Sequence, residues 1–313
     1  MRFRGPHGSA LVRAEAGTSP RKARTPRATS LPLRHAILEV ASDYDQLTVR
    51  QLFYQLVSRG EVAKTEAAYK RVADAAVQVR LAGEMPFDKI TDGSRSRRVL
   101  ACYDNAREIL EESASVYRQN YWASQPIHVE VWCEKDALSG VIEPICDEYG
   151  VTYVATRGFA SVTLLYESLT AIRQTEKPAV IFFFGDHDAS GRAIDTAIAQ
   201  FFEDELGRYE SDGIPQCEIR RVALEPDQIK KHGLPTRPGK ETDSRNEGFR
   251  RRFGSARSVE LDALAPNVLQ GLVRKAIRSV IDKGEWARLE VVEEQERATL
   301  EAVLRAKGRL RRV

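Results

Sequence analysis

Residues 179–191 read Ala179-Val180-Ile181-Phe182-Phe183-Phe184-Gly185-Asp186-His187-Asp188-Ala189-Ser190-Gly191. The first six are apolar without a break. A run that short and that rich in β-favouring side chains reads as a strand buried on both faces, as in a parallel sheet. Two aspartates follow within a few residues of its end, and Ala189-Ser190-Gly191 then opens a helix. His187, between the aspartates, reads as an outward-pointing spacer.

Working outward, the same alternation continues on both sides. Upstream, His128 to Cys133 reads as a strand, Leu138 to Tyr149 as a helix, Val151 to Ala155 as a strand and Val162 to Arg173 as a helix. Downstream, Arg192 to Leu206 returns as a helix and Glu218 to Ala223 as a strand. Alternating βα units predict an α/β fold, a parallel sheet covered by helices on both sides. Glu134 follows directly on the strand ending at Cys133. Ligands of such sheets bind at the carboxyl edge, so Glu134, Asp186 and Asp188 are expected to converge there from different parts of the chain. Grouped carboxylates without a cation repel one another, and oxygen ligands with no cysteine among them favour Mg²⁺ or Mn²⁺ over zinc. An Asp-x-Asp pair by itself is more often a turn signal; the glutamate ending an earlier strand is what turns the reading toward a metal.

Residues 35–122 read differently. A helix covers Ala36 to Ala41, and a second opens at Thr48, whose hydroxyl can cap it while Gln51 reaches back. A third runs from Glu66 to Leu81 with Ala68, Val72, Ala75, Ala76 and Val79 as its inward stripe. Asp92-Gly93 gives a tight turn, followed by Arg95, Arg97 and Arg98. Three helices and a basic hairpin make a winged helix-turn-helix able to set Lys70, Arg71 and Arg80 of the third helix against DNA and the hairpin against phosphates. The plainer reading is a small helical domain with solvated charges.

Residues 1–34 carry eight basic residues (Arg2, Arg4, Arg13, Arg21, Lys22, Arg24, Arg27, Arg34) against Glu15 alone, and read as a disordered basic arm. It serves either as a phosphate-binding tail or as a leader with no role. Its composition also allows a presequence, though no sustained amphipathic helix supports one. After Pro226 the chain is loop-rich and basic, and a last helix runs from Glu285 to Leu310 with acids early and bases late. Residues 123–313 are thus expected to form the second domain with a helical extension.

Across 313 residues, 42% hydrophobic content supplies a sizeable core, and a net charge of +3 permits a nucleic-acid partner without requiring one. The four cysteines, Cys102, Cys133, Cys146 and Cys217, lack the close pairs of a zinc or redox motif. No apolar stretch approaches the roughly 20 residues that span a bilayer. A cytoplasmic protein, not a membrane one, is expected.

Glu134-Lys135 and the run Gly185 to Gly191 resemble the two signature motifs of the Toprim domain of topoisomerases, primases and certain nucleases. The resemblance implies Mg²⁺ held by Glu134, Asp186 and Asp188, with Glu134 also available for proton transfer. Upstream, Thr48-Val49-Arg50-Gln51-Leu52-Phe53-Tyr54 is similar to the nucleophile motif of the topoisomerase VI A subunit and the meiotic double-strand-break transesterase, whose first domain is a winged helix of the CAP-like kind. There an arginine precedes the attacking tyrosine by four residues, as Arg50 precedes Tyr54. The stretch Val259-Glu260-Leu261-Asp262-Ala263-Leu264 also matches, so the likeness covers roughly residues 35–285. Two departures mark a divergent branch: Phe53-Tyr54 stands where two tyrosines are common, and Ala189-Ser190-Gly191 where Pro-Tyr-Gly is common. On the helix itself, Val49, Leu52, Phe53 and Leu56 make one apolar face and Arg50 and Tyr54 share a flank outside it, which predicts a presented rather than buried Tyr54.

The resemblance implies a Mg²⁺-dependent transesterase of double-stranded DNA, with Tyr54, Arg50 and Glu134 as catalytic residues and Lys135 beside the DNA. It implies a homodimer, each tyrosine able to reach its partner's metal site, and nucleoid association. No Gly-x-x-x-x-Gly-Lys-Ser/Thr loop is present, so ATP hydrolysis would belong to a separate B-type ATPase subunit of the GHKL kind. The alternatives are a Toprim nuclease that uses water, with Tyr54 structural, and a DNA-binding module without chemistry.

Overall fold

A computed structural model describes residues 31–91, 102–207, 216–239, 243–255 and 257–309. The turn at Asp92-Gly93, Arg95, Arg97, Arg98 and all of the basic arm up to residue 30 lie outside the described residues. The chain opens with helices α1 (Leu31–Ser42), α2 (Val49–Ser58) and α3 (Glu66–Leu81). Because α1 begins at Leu31, the last four residues assigned to the arm are helical. Thr48 caps α2 as its sequence predicts: its hydroxyl accepts from the Gln51 N–H at 3.1 Å and its own N–H donates to Gln51 Oε1 at 2.9 Å. Thr65 caps α3 through the Ala68 N–H. Ile37, Val40, Leu52, Leu56, Val72 and Val79 fill the space between these helices. A further helix, α4 (Ala106–Val116), buries none of its residues and packs against the last helix of the chain.

The sheet has strands β1 (His128–Cys133), β2 (Thr152–Ala155), β3 (Ala179–Phe184) and β4 (Cys217–Ala223), all parallel, in the order β2-β1-β3-β4. All six residues of β3 are buried, as its unbroken apolar run requires. Between the strands lie α5 (Ser139–Tyr149), α6 (Val162–Gln174) and α7 (Gly191–Gly207). Side chains alternate across the sheet. Val129, Val131, Val180 and Phe182 meet α5 on one face, in a buried cluster continuous with α1–α3. Trp132, Ile181 and Phe183 meet α6 and α7 on the other. Each phenylalanine of β3 contributes about 2–3 kcal/mol by its removal from water, so the strand that carries the aspartates is anchored from both sides.

Beyond β4 come α8 (Pro226–Lys231), the short antiparallel strands β5 (Arg237–Pro238) and β6 (Arg257–Ser258), α9 (Asn246–Phe253) between them, a 3₁₀ turn at Leu261–Ala263, α10 (Pro266–Arg278) and α11 (Lys283–Arg309). Helix α10 joins α5 on the first face of the sheet. No helix among the described residues is long and apolar enough to cross a membrane.

Candidate active site

The order β2-β1-β3-β4 sends the chain outward from β1 to β2 on one side and from β3 to β4 on the other. Loops leaving β1 and β3 therefore diverge and open a crevice at the carboxyl edge, the ligand position of open α/β sheets. Glu134 stands on one lip and the Asp186–Asp188 loop on the other. Two backbone-directed hydrogen bonds close the distance between them: Glu134 N–H donates to Phe184 O and Asp186 N–H donates to Glu134 Oε2, both at 2.8 Å. Two glycines make this approach feasible. A Cβ on Gly185 would lie 2.7 Å from the Phe183 ring and 2.9 Å from Glu134 Oε2, and one on Gly191 would strike the Asp186 carbonyl.

Asp186 Oδ1 accepts the Leu261 N–H at 2.8 Å and lies 3.0 Å from Lys135 Nζ. Asp188 Oδ1 accepts the Gly191 N–H at 2.7 Å, at the start of α7. The second oxygen of Glu134, Asp186 and Asp188 takes no hydrogen bond from a described residue. Burial, and then the charges of Asp186 and Asp188, push the Glu134 carboxyl up to about 7. Burial likewise raises Asp186, against the pull of Lys135. Carboxylate oxygens are the donor type that Mg²⁺ and Mn²⁺ prefer. Among the described residues, however, no group of three or more His, Cys, Asp or Glu side chains is arranged to hold a metal ion. The expected convergence of the three carboxylates is thus not complete here, because Asp186 is held toward Lys135 and Leu261 and Asp188 toward its own helix.

Behind the crevice lies a second layer of charge. Lys135, expected beside DNA, has its ammonium 2.5 Å from Asp262, 3.0 Å from Asp186 and 3.4 Å from Glu260. Burial opposes its charge, but these three acids raise its pKa overall. Glu260 also pairs with Arg50 at 2.8 Å and Arg237 at 2.5 Å. Burial alone would raise the Glu260 carboxyl; Lys135, Arg50 and Arg237 outweigh it and hold the group at about 2. Behind the aspartate loop, Arg221 is buried and donates to the carbonyls of Asp186 at 2.5 Å and Gly191 at 3.1 Å while pairing with Asp195.

Arg50 leaves the apolar face of α2 as expected and lies over the Tyr69 ring at 5.2 Å. Tyr54 does not behave as expected. It is 3% exposed, packed on Phe53 with Lys64 Nζ 5.3 Å above its ring. Lys64 is held in place over the ring by donating its Nζ to Pro235 O at 2.7 Å. Tyr54 instead forms part of the wall of a cavity of about 360 Å³, with Arg50, Lys64, Tyr69, Arg237 and Glu260 around it. Burial and then the Glu260 charge push its phenol up to about 12.

His187 also departs from its reading. Its side chain turns inward, edge-on to Phe249 and Phe253 at 5.1 and 4.9 Å, and its backbone bridges to Val259. Burial, Arg192 and Arg221 push it down to about 4, so it is a neutral packing residue. On α3, Lys70 and Arg71 are exposed, Lys70 lying 3.9 Å from Glu66, whereas Arg80 folds back to Ala76 O at 3.0 Å.

Lys64 and Arg221 had no part in the sequence reading, while Asp262 entered it only within the matched stretch Val259–Leu264 and Arg237 only as one cation of the basic region after Pro226. Of Lys64 and Arg221, only Arg221 left a signal, a cation two positions before the end of β4 on the face that otherwise carries Cys217 and Ile219. No protein-family model and no curated protein matches the chain.

Proposed function

We propose that the chain is a Mg²⁺-dependent enzyme that cleaves DNA strands by attack of Tyr54 on the backbone phosphodiester. One observation carries this reading: the segment Glu260–Asp262 ties Arg50, on the helix of Tyr54, to Lys135 and through it to Asp186. The nucleophile helix and the carboxylate crevice thereby share one charge network. In this reading residues 123–313 are a Toprim domain and residues 35–122 a CAP-like winged helix. The protein acts on double-stranded DNA as a homodimer, nucleoid-associated, with a B-type ATPase subunit of the GHKL kind where strand passage is coupled to ATP.

The chemistry is an exchange. As the bond from Tyr54 Oη to phosphorus forms, the P–O3′ bond breaks; the proton lost by the phenol is matched by one gained at the 3′-oxygen, leaving a 5′-phosphotyrosyl link. One ester replaces another, so the step reverses readily. Arg50, Lys64 and Arg237 supply positive charge around the phosphate in the Tyr54 cavity. Glu134, Asp186 and Asp188 would hold Mg²⁺, whose chemical contribution is to neutralise charge on the phosphate oxygens. Because Tyr54 is 3% exposed, its attack on a strand requires Lys64 and its neighbours to move aside.

A specific observation favours a second reading. A phenol 3% exposed and pushed up to about 12 is a poor nucleophile as it stands, which is what a nuclease using water, with Tyr54 structural, would show.

End-labelled DNA incubated with Mg²⁺, then quenched in detergent with and without protease, separates the two. The transesterase yields protein-linked 5′ ends from the wild type and none from Tyr54→Phe. Protein-free cuts that survive Tyr54→Phe would overturn it in favour of hydrolysis.

A further inference from the structure

Helix α5 leaves the carboxyl edge of β1 and ends at Tyr149, just before β2 begins, so its last turn lies at the amino edge of the sheet. There, on the side of the sheet opposite Glu134 and Asp186, is a cavity of about 440 Å³. That volume is within the roughly 300–1,000 Å³ of small-ligand sites. Three aromatic side chains line it. Tyr121 and Trp286 lie with ring centroids 4.4 Å apart at 31°, and Tyr149 lies 6.0 Å from Trp286. Rings this close already occupy the spacing of a packed aromatic pair, about 4.5–7 Å, so a further planar group cannot enter between them and must lie on an outer face.

The charges at this cavity are unevenly committed. Glu148 is taken by Arg274 at 2.8 Å, and Arg118 donates to the carbonyls of Asp147 and Glu148. Arg278 and Lys283 are exposed at the same cavity, and neither forms an ion pair with a described residue. Glu290 adds an exposed negative charge at the edge, on the side of Tyr121. An aromatic cluster beside two exposed cations, of which Arg278 also feels the Glu148 charge, is the combination that receives a planar base and its phosphate: rings stack on bases of any sequence, and guanidinium and ammonium groups take the anion.

We propose that this cavity is a nucleotide-binding site that seats a base against Trp286 and its phosphate on Arg278 and Lys283. The site is separate from the catalytic crevice, and its existence does not depend on the reaction carried out there. A free mononucleotide and one nucleotide of a single strand present the same chemistry to it.

The test is calorimetric titration of the full chain, without Mg²⁺, with adenosine monophosphate, adenosine, inorganic phosphate and a single-stranded oligodeoxyadenylate. The wild type is compared with the surface double variant Arg278→Ala/Lys283→Ala and with Trp286→Leu, each checked for an intact thermal transition. The expected result is saturable binding of the monophosphate or the oligonucleotide, weakened about tenfold or more by the double variant. Trp286→Leu should weaken it by a similar factor if it still folds. Saturation by the monophosphate assigns a free nucleotide; saturation by the oligonucleotide alone, lost in the double variant, assigns a strand. No saturation by either up to about 5 mM overturns the proposal, as does equal affinity in the double variant. Adenosine binding as tightly as its monophosphate overturns the phosphate seat.

Discussion

Two glutamates, the buried Glu260 behind the Tyr54 cavity and the half-buried Glu134 at the sheet edge, have opposite fates. Glu260 faces Arg50, Arg237 and Lys135 and is held at about 2. Glu134 has no cation at ion-pair distance among the described residues, faces Asp186 and Asp188, and is pushed up to about 7. Burial acts on both in the same sense, so the difference comes from their neighbours. A fully neutralised acid stabilises the fold. An acid left short of positive charge costs stability instead.

The comparison breaks most visibly at Glu260. Glu260→Ala leaves three cations facing one another around a buried gap and should lower stability by about 3 kcal/mol in denaturant unfolding. That is the low end for a broken buried pair, because Arg50 and Arg237 reach solvent. A loss under about 1 kcal/mol would mean the network is ornamental. The next effect is at Gly191. Gly191→Ala sets a methyl group against the Asp186 carbonyl and should cost about 1–3 kcal/mol while displacing the aspartate loop, as melting and Mn²⁺ titration would show. At Glu134 the sign changes. Glu134→Gln keeps an acceptor for the Asp186 N–H and removes a repelled charge, so stability should move by less than about 1 kcal/mol. Mn²⁺ affinity, read by electron paramagnetic resonance, should fall at least about tenfold. A strongly destabilised Glu134→Gln with unchanged Mn²⁺ binding would erase the distinction between the two acids.

The smallest effect sharpens the same contrast through pH. The Glu260 carboxyl is depressed from an ordinary value of 4.5 to about 2 in the folded protein. Its stabilisation is therefore complete above pH 4.5 and is lost as pH falls toward 2. The stability gap between wild type and Glu260→Gln should narrow over that window on acidification. A gap that stays constant would place the ion pairs elsewhere than on Glu260.

The parts of the site visible in the sequence are the local ones. An unbroken apolar run located β3 and the aspartates after it, the alternation of strand and helix patterns located β1 and Glu134 at its end, and the Thr48–Gln51 capping box located α2, because each depends on neighbours a few residues away. Tyr54 was misjudged for the opposite reason. A helical wheel shows which side of α2 leaves its own apolar face, but Lys64 lies over the Tyr54 ring, and its partner Pro235 is 171 positions further on. His187 failed likewise, since Phe249 and Phe253, which draw it inward, lie on a helix with no periodic link to the loop. Glu260 was matched as part of a stretch, yet its partner Arg50 is 210 residues away, and no spacing encodes that pair.

The short segment Val259–Asp262 touches α2, the start of the β1 loop and the aspartate loop at once. A chain emerging from the ribosome at about 5–20 residues per second would expose β1, β3 and all three crevice carboxylates well before this segment appears. Until then Lys135 lacks two of its three acids and Asp186 lacks the Leu261 N–H. The charge network that joins α2 to the crevice is therefore completed late in synthesis, after every strand of the sheet is already out.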